Sequence, residues 1–269
     1  HASDAMVILD IGQLQLAYVS LEALCQQYVR LAAHAIPQSK VFVWHHKLLC
    51  AWCAKQRSHL PGSHVAPADV STAYPELWAE VNLAERCGPR LEDALSGAVA
   101  YQELLFPGGS MEVVLPVYED AVSAAFYNGC VVAAVGAILS LLPDGRPVSV
   151  LEVGAGSGGT ASSVLPVLEG ACKRYVFTDV SEVFLRQARG RFSDVVFLEY
   201  ALLNIDADPR FQGFAAHQSD VIISTNCLHA TPFMRNTLRH CAKLLCAAGT
   251  LVVNELLETS WSAQISFGM

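Results

Sequence analysis

The stretch V-S-V-L-E-V-G-A-G-S-G-G-T, residues 148–160, decides the fold. Its first six residues, Val148–Val153, are typical of a strand buried on both faces, and they break abruptly into a cluster of glycines before a helical pattern begins. Glycine permits a tight turn and lets backbone amides approach a ligand closely. Four glycines within six residues would cost backbone entropy without return in a plain tight turn. The stretch is therefore predicted to be a nucleotide-binding turn.

Two classes of cofactor use such a turn. Gly154, Gly156 and Gly159 satisfy the G-x-G-x-x-G spacing that receives a dinucleotide pyrophosphate at a helix N-terminus. Glu152, two residues before the first glycine, gives E-x-G-x-G-x-G instead, which resembles the first signature of class I S-adenosylmethionine-dependent methyltransferases. We favour the methyltransferase interpretation. The candidate cofactor-binding residues in this stretch are Glu152, Gly154, Ala155, Gly156 and Gly158.

Beyond the turn, strand-like and helical patterns alternate, which predicts an α/β fold with a doubly wound sheet. The predicted strands are Val148–Val153, Arg174–Asp179, Val195–Leu198, Asp220–Thr225 and Thr250–Glu255. Ligands gather at the carboxyl ends of the strands in such a sheet. The polar residues at those ends, Asp179, Asn226 and Glu255, are therefore functional candidates.

Two of these strand ends suggest specific chemistry. Asp179 ends Y-V-F-T-D at the distance expected of a carboxylate that accepts hydrogen bonds from two ribose hydroxyls. Its structural alternative is a helix N-cap, a position for which Ser181 also qualifies. His229 follows the fourth strand in D-V-I-I-S-T-N-C-L-H-A-T, and Glu255 closes the adjacent fifth one. They are candidates for a general base and its carboxylate partner, whereas the alternative is a structural histidine.

Composition excludes several classes of partner. The 269 residues are 53% hydrophobic, enough for a sizeable core, and a net charge of −8 argues against a nucleic-acid substrate. No apolar run of membrane-spanning length and no basic-then-apolar N-terminus is evident, so neither membrane nor signal peptide is expected. Nine cysteines without repeating spacing suit a reducing, cytoplasmic location.

The sequence predicts no metal site. Cys50 and Cys53 form a C-x-x-C, but there is no second such pair, and the helical spacing of Lys40–Gln56 predicts that they pack as small apolar groups. His45 and His46 are adjacent and would point apart on a helix.

The N-terminal part, residues 1–105, is predicted to form a helical subdomain. Its expected helices are one with Leu21, Leu24, Cys25, Tyr28, Leu31, Ala32 and Ala35 on one face, then Lys40–Gln56, Tyr74–Cys87 and Leu91–Leu105. The segment Leu104–Ser110, L-L-F-P-G-G-S, is the expected hinge into residues 106–269. A further helix, Val117–Leu142, is predicted to bring Tyr118, Tyr127 and Asn128 near the glycine turn.

Several motifs together resemble the C-methyltransferase domains of polyketide synthases, over nearly the whole chain. They are Y-P-E-L-W-A-E-V-N-L-A-E-R-C-G at residues 74–88, L-L-F-P-G-G-S, the elements at Tyr118 and at Tyr127 and Asn128, L-E-V-G-A-G-S-G-G-T, Q-G-F at residues 212–214, and T-N-C-L-H-A-T. The helical N-terminal part is most similar to the fungal, iterative branch.

The resemblance implies a Rossmann-like class I methyltransferase sheet preceded by a helical N-terminal lid subdomain. It implies S-adenosylmethionine as cofactor and S-adenosylhomocysteine as product. The substrate would be a β-ketoacyl chain, methylated at its α-carbon while linked through phosphopantetheine to acyl carrier protein, among the other domains of the same synthase. His229 and Glu255 match the catalytic pair of similar domains, Tyr118 matches an assisting tyrosine, and no metal is needed.

The sequence also departs from the family pattern. Asn204 stands where similar domains often have an aspartate near the adenine, although its carbonyl can still accept an amino hydrogen. Leu245–Thr250 lacks the usual basic residue and P-G-G. Similar domains continue beyond F-G-M, residues 267–269, into the last strands of a seven-stranded sheet, which this sequence does not include. The alternatives left open are an O-methyltransferase, a dinucleotide oxidoreductase and a non-catalytic pseudo-methyltransferase module.

Overall fold

The computed structural model describes residues 11–35, 46–48, 50–51, 65–143, 145–257 and 260–267. The chain forms two compact units, one of residues 1–122 with 258–269, and one of residues 123–257. The sequence predicts a domain boundary at 105/106, whereas the internal contacts group the chain through Val122 with the helical unit. The predicted helix Lys40–Gln56 lies largely outside the described residues. Cys53 lies outside them.

The first unit is built from helices. In chain order they are α1 (Ile11–Ala35), α2 (Pro67–Ala73), α3 (Trp78–Cys87), α4 (Leu91–Ser96), α5 (Tyr101–Leu105) and α6 (Leu115–Glu119), followed at the end of the chain by Trp261–Ser266. The predicted apolar face of α1 is buried at Leu21, Leu24, Cys25, Tyr28 and Ala32. Leu31 and Ala35 are exposed, so the buried stripe is narrower than predicted.

Two predicted helices are each interrupted. The run Leu91–Leu105 divides into α4 and α5 because Gly97 adopts a left-handed conformation, φ 77°, at the end of α4. The run Val117–Leu142 divides at residues 120–121, between α6 and the next helix. The Tyr74–Cys87 prediction holds for α3, which a 3-10 turn at Pro75–Leu77 precedes.

The second unit is an α/β sheet flanked by helices. Its elements are α7 (Val122–Ser140), β1 (Val148–Val153), α8 (Gly159–Leu168), β2 (Cys172–Asp179), α9 (Glu182–Arg191), β3 (Leu198–Leu202), β4 (Ser219–Thr225), α10 (Met234–Leu244) and β5 (Leu245–Asn254). The first residue of α7, Val122, is grouped with the first unit, and the second unit begins at Ser123. The five strands are parallel in the order β3-β2-β1-β4-β5. This arrangement confirms the predicted Rossmann-like class.

One strand prediction is wrong in its position. The strand predicted at Val195–Leu198 begins only at Leu198, because the preceding residues form a turn in which the amide of Leu198 donates to the carbonyl of Val195 at 3.2 Å. Val196 is 97% exposed, so its apolar side chain does not enter the sheet. The predicted fifth strand starts earlier, at Leu245, and ends at Asn254, which leaves Glu255 as the first residue beyond it.

The alternation of side chains along the strands sets the two faces of the sheet. Val150, Tyr175, Phe177, Val221 and Ile223 pack in one cluster with residues of α7 and α8. Leu151, Val153, Val176 and Ile222 pack on the other face with residues of α10. By this alternation, Glu152 of β1 and Thr225 of β4 belong to the face of α7 and α8.

Helix α7 carries no charged side chain over its 19 residues, and its mean hydropathy of 1.8 reaches the value of a membrane-spanning helix. The expectation that no apolar run has that length is therefore wrong for α7, because its serines and its asparagine are too few to lower the hydropathy. Length and composition are weak evidence for a membrane span, since core helices of other proteins meet the same test. Val131 and Val135 of α7 are buried in the cluster on the sheet.

Candidate active site

The glycine turn after β1 has a backbone that only glycine accommodates easily. Gly154 has a φ of 67°, and a Cβ there would lie 2.2 Å from Sγ of Cys227. The turn is tied to β2 because the amide of Ala155 donates to the carbonyl of Thr178 at 2.9 Å. At Gly156, by contrast, an added Cβ would meet nothing closer than a backbone oxygen at 4.0 Å. The turn is thus closed beneath Gly154 and open at Gly156, as a cradle for a ligand requires.

Asp179, at the end of β2, joins the second strand to the glycine turn. Its Oδ2 accepts a hydrogen bond from the amide of Gly156 at 3.0 Å, and its Oδ1 accepts one from the amide of Ser181 at 2.8 Å. Ser181 holds the N-cap position of α9 without a side-chain cap hydrogen bond. Each carboxylate oxygen has a further lone pair, so Asp179 can still accept from a ligand hydroxyl.

Glu152 lies within the sheet rather than on the surface of the turn. It is 1% exposed, and its Oε2 accepts a hydrogen bond from the hydroxyl of Tyr175 at 2.8 Å. Burial raises the pKa of Glu152 to about 8; the charge of Asp179 adds to the rise, and the Tyr175 hydrogen bond opposes it. The sequence signal identified Glu152 but not its partner, since Tyr175 faces it only once β1 and β2 are paired.

We expect the burial of Glu152 to make stability fall as the pH rises. The pKa of Glu152 in the folded protein, about 8, exceeds its ordinary value of 4.5, so folding takes up a proton between pH 4.5 and pH 8. The contribution of Glu152 to the free energy of unfolding is complete below pH 4.5, and it is lost as the pH rises through 8. Glu152→Gln removes this pH dependence, in which the free energy of unfolding changes by at most about 1.4 kcal/mol per pH unit. Urea unfolding across this pH range measures it. The exposed Glu199→Gln variant is the control and should keep the wild-type slope; an unchanged slope in Glu152→Gln would contradict the assignment.

The loop after β3 is held by Gln212 of the Q-G-F motif. Oε1 of Gln212 accepts from the amide of Asn204 at 2.8 Å, and its Nε2 donates to the carbonyl of Asn204 at 2.8 Å. Oδ1 of Asn204 accepts from the amide of Asp206 at 3.0 Å, in a tight side-chain turn. Asn204 is therefore fixed and exposed, with its amide nitrogen and a second lone pair on Oδ1 left for a ligand.

Helix α7 is fixed to the first turn of α8. The hydroxyl of Thr160 donates to Oδ1 of Asn128 at 3.0 Å, and both side chains are buried. Tyr127 is half exposed and packs edge-on against Phe126, with ring centroids 5.3 Å apart. Tyr118 belongs to the first unit, where its ring lies 5.5 Å from that of Phe267, so its place near the glycine turn stays a prediction.

His229 and Glu255 are in direct contact. Nδ1 of His229 lies 2.5 Å from Oε2 of Glu255. The other carboxylate oxygen, Oε1, accepts from the amides of Cys227 and Leu228 at 2.9 and 2.6 Å. The carboxylate is thus held by the loop that carries the histidine, and its side chain is only 12% exposed, against 52% for His229. The two backbone donors have no signature in the sequence.

The positive φ of Asn226, 48°, redirects the chain into that loop. Its amide donates to the carbonyl of Asn254 at 2.8 Å, which brings the residues after β4 and β5 together. The side chain of Asn226 is exposed at this edge of the sheet. The structure therefore gives Asn226 a conformational role at the site, while its contact with the cofactor stays a prediction.

The described residues contain no metal-binding group, and a cavity among them lies away from the candidate site. No group of three or more histidine, cysteine or acidic side chains among them is arranged to hold a metal ion. A cavity of about 230 Å³ lies at the opposite edge of the sheet, where Arg146 and Pro147 precede β1 and Gly170 and Ala171 precede β2. It contains none of the candidate residues.

Comparison with known proteins identifies the family. A family model described as a methyltransferase domain matches residues 151–251. Polyketide synthase ThaG of Burkholderia thailandensis is 40% identical over 195 residues, which are 71% of this chain and 4% of that protein. Reducing polyketide synthase BOA6 of Botryotinia fuckeliana is 35% identical over 187 residues, 69% of this chain and 7% of that protein. The chain thus spans a small fraction of its curated relatives, which are bacterial and fungal.

Solved structures give the same result. The CurJ carbon methyltransferase matches with a TM-score of 0.87 and 28% identity, covering 97% of this chain and 78% of that one. The DszA carbon methyltransferase matches with a TM-score of 0.84 and 25% identity, covering 96% and 76%. The chain is a methyltransferase domain, and it belongs to the family of carbon-methyltransferase domains of polyketide synthases.

Proposed function

We propose that this domain transfers a methyl group from S-adenosylmethionine to the α-carbon of a β-ketoacyl chain carried on acyl carrier protein. The observation that carries the proposal is the contact between His229 and Glu255 at the edge of the sheet where the glycine turn also lies. A base with a fixed carboxylate partner beside a cofactor-binding turn is the arrangement that proton removal followed by methyl transfer requires.

The residues at this edge fit the cofactor. The open side of the turn at Gly156 would receive the cofactor. Asp179 would accept hydrogen bonds from the ribose hydroxyls of the cofactor. Asn204, fixed by Gln212, would accept from the adenine amino group. In this proposal Gly154, Ala155 and Gly158 shape the turn, Glu152 supports it from within the sheet, and Tyr127, Asn128 and Asn226 complete the binding residues.

His229 is the proposed base. Because Nδ1 contacts a carboxylate, its proton is held there, and Nε2 of the neutral imidazole is left with the lone pair that removes an α-proton. Glu255 then stabilises the imidazolium, while the amides of Cys227 and Leu228 keep the carboxylate in place. Half-exposure of His229 leaves Nε2 accessible to a substrate.

The protein's remaining tasks are alignment and charge stabilisation. S-adenosylmethionine supplies an electrophilic sulfonium methyl, so the domain chiefly has to align the α-carbon with it and exclude water from the base. Tyr118 is the proposed donor of a hydrogen bond to the developing enolate oxygen. S-adenosylhomocysteine leaves as the product.

The function is tested with a pantetheine thioester of a β-keto acid and S-adenosylmethionine carrying carbon-13 in its methyl group. NMR of the product distinguishes a methyl on the α-carbon from one on oxygen. The proposal predicts a carbon-bound methyl. An oxygen-bound methyl would support the O-methyltransferase alternative, and no transfer by a protein that binds the cofactor in calorimetry would support a non-catalytic module.

Carrier recognition is a separate prediction for α10, where Arg235 and Arg239 are exposed after the His229 loop. Lys243 shares their helical spacing, but its Nζ lies 2.7 Å from Oδ2 of Asp208, so it is already paired. An acidic carrier protein would meet the two arginines. Arg239→Glu should then slow turnover of a carrier-bound substrate about fivefold, which corresponds to the upper end of the free energy of one exposed ion pair. The turnover rate of a small pantetheine thioester should be unchanged.

Arg174→Glu is the matched control for this surface, since Arg174 lies near the start of β2 in an exposed ion pair with Glu199. It should leave both rates at the wild-type value. Equal slowing of the two substrates by Arg239→Glu would assign the arginine to the fold or the site rather than to docking.

A further inference from the structure

His240, on α10, holds one peptide group of the loop after β3. Its Nδ1 lies 2.7 Å from the carbonyl oxygen of Ile205, and the ring is half-buried. A carbonyl oxygen only accepts, so Nδ1 carries the proton and His240 donates this hydrogen bond. The side chain of Ile205 is buried in the same apolar cluster as Cys241 and Leu244 of α10. The helix and this part of the loop are therefore joined by a hydrogen bond as well as by apolar packing.

The peptide group held by His240 is the one that orients the side chain of Asn204. A peptide group is planar, so the carbonyl of Ile205 and the amide of Asp206 move as one rigid unit. The amide of Asp206 donates to Oδ1 of Asn204 at 3.0 Å. A bond that fixes the carbonyl of Ile205 therefore also fixes the direction from which Oδ1 of Asn204 receives its hydrogen bond.

That peptide group is the central one of a turn. The turn is closed by the amide of Ala207, which donates to the carbonyl of Asn204 at 3.1 Å, and this bond does not involve the peptide group between Ile205 and Asp206. The common types of such a turn differ in the direction of their central peptide group. Turning this group over would point the amide of Asp206 away from Oδ1 of Asn204. The hydrogen bond from His240 opposes that change.

Two other side chains hold the loop at other points. Gln212 binds the amide and the carbonyl of Asn204, which belong to the two preceding peptide groups. Lys243, three residues beyond His240 on α10, is paired with Asp208. Loss of the His240 hydrogen bond should therefore release one peptide group while the rest of the loop stays in place.

We infer that His240 is a positioning residue that presents Oδ1 of Asn204 to the amino group of the adenine. The inference rests on the proposed function, in which Asn204 accepts that hydrogen bond. Oδ1 has two lone pairs, of which the amide of Asp206 takes one, and the side chain of Asn204 is exposed to a ligand. With the peptide group fixed, the second lone pair keeps a constant direction, so the side chain does not have to be ordered when the cofactor binds.

Calorimetry with two ligands tests the inference. One is S-adenosylhomocysteine, and the other is its 6-deamino analogue, whose purine carries hydrogen in place of the amino group. The wild type should bind the analogue about tenfold more weakly, which is the loss expected for one hydrogen bond. His240→Ala should bind S-adenosylhomocysteine about fivefold more weakly than the wild type does, and it should bind the analogue with unchanged affinity.

Three further variants identify the hydrogen bond as the cause. His240→Asn should retain most of the affinity, because its side-chain nitrogen donates from a position close to that of Nδ1. His240→Phe keeps an aromatic ring and removes the donor, so it should repeat the pattern of the alanine variant, and it replaces that variant if His240→Ala does not fold. His217→Ala is the matched control, since Nδ1 of His217 lies 2.8 Å from the carbonyl of Leu245 at the start of β5. It should change neither affinity.

The outcomes separate the inference from the proposed function. Equal losses for the two ligands in His240→Ala would give His240 a purely structural role and overturn the inference. Unchanged binding of both ligands, or a loss in His240→Asn as large as that in His240→Ala, would also overturn it. Equal affinity of the wild type for the two ligands would instead overturn the proposed contact between Asn204 and the adenine, and the inference with it.

Discussion

His229→Ala is expected to lower the rate of methyl transfer by about a hundredfold to ten-thousandfold, the usual worth of general-base catalysis. Affinity for the cofactor should stay nearly intact, because the hydrogen-bond partner of the imidazole is Glu255, which lies just beyond β5 and not in the glycine turn. Single-turnover rates measure the first effect, and calorimetry with S-adenosylhomocysteine measures the second. A loss of both together would indicate a structural histidine.

Glu255→Gln should cost less, and the two losses should not add. The carboxylate acts only by holding and stabilising the imidazole, so once His229 is alanine the change at Glu255 has little left to remove. The amides of Cys227 and Leu228 can still donate to the glutamine side-chain oxygen, which limits damage to the loop. Additive losses in the double variant would show that Glu255 works independently of His229.

Asp179→Ala is expected to weaken cofactor binding about tenfold to a hundredfold, equivalent to roughly 1.5 to 3 kcal/mol for hydrogen bonds to a charged carboxylate. Some of this loss comes through the protein, because the same carboxylate accepts from the amides of Gly156 and Ser181 and holds the turn against β2. Titration calorimetry with S-adenosylhomocysteine measures the affinity.

A cofactor analogue separates the two contributions of Asp179. The 2′,3′-dideoxyribose analogue of S-adenosylhomocysteine lacks both ribose hydroxyls, so its affinity should depend on Asp179 much less than that of the natural compound. Equal losses for the two compounds would remove the ribose contact and leave Asp179 a purely structural role. Unchanged affinity for both would remove it from the site.

The central part of the fold was predictable because its signals are local. The β1 strand and the glycine turn are continuous in sequence, and the prediction for Val148–Val153 agrees with the strand residue for residue. The third strand was misplaced because Val195–Phe197 are apolar yet form a turn, and pairing with Tyr175 of β2, which no local pattern encodes, fixes the start of β3 at Leu198.

The candidate site was predictable to a similar degree. The sequence placed His229 and Glu255 at the ends of neighbouring strands, and the structure brings them into contact. Their support by the amides of Cys227 and Leu228 depends on the conformation of a loop, and the enclosure of Glu152 by Tyr175 depends on strand register. The hydrogen bond that His240 donates to a backbone carbonyl is likewise visible only in the structure, because its partners lie 35 residues apart and a backbone carbonyl leaves no pattern in the sequence.

The role of His229 is tested most directly by incubating the wild type and His229→Ala with a β-ketoacyl acyl carrier protein and S-adenosylmethionine. Mass spectrometry with fragmentation of the acyl chain counts the added methyl groups and locates them. If His229 is the base, we expect a methyl on the α-carbon with the wild type and almost none with the variant, although both bind the cofactor. Full methylation of the α-carbon by His229→Ala would show that His229 is not the base and leave the histidine a structural residue.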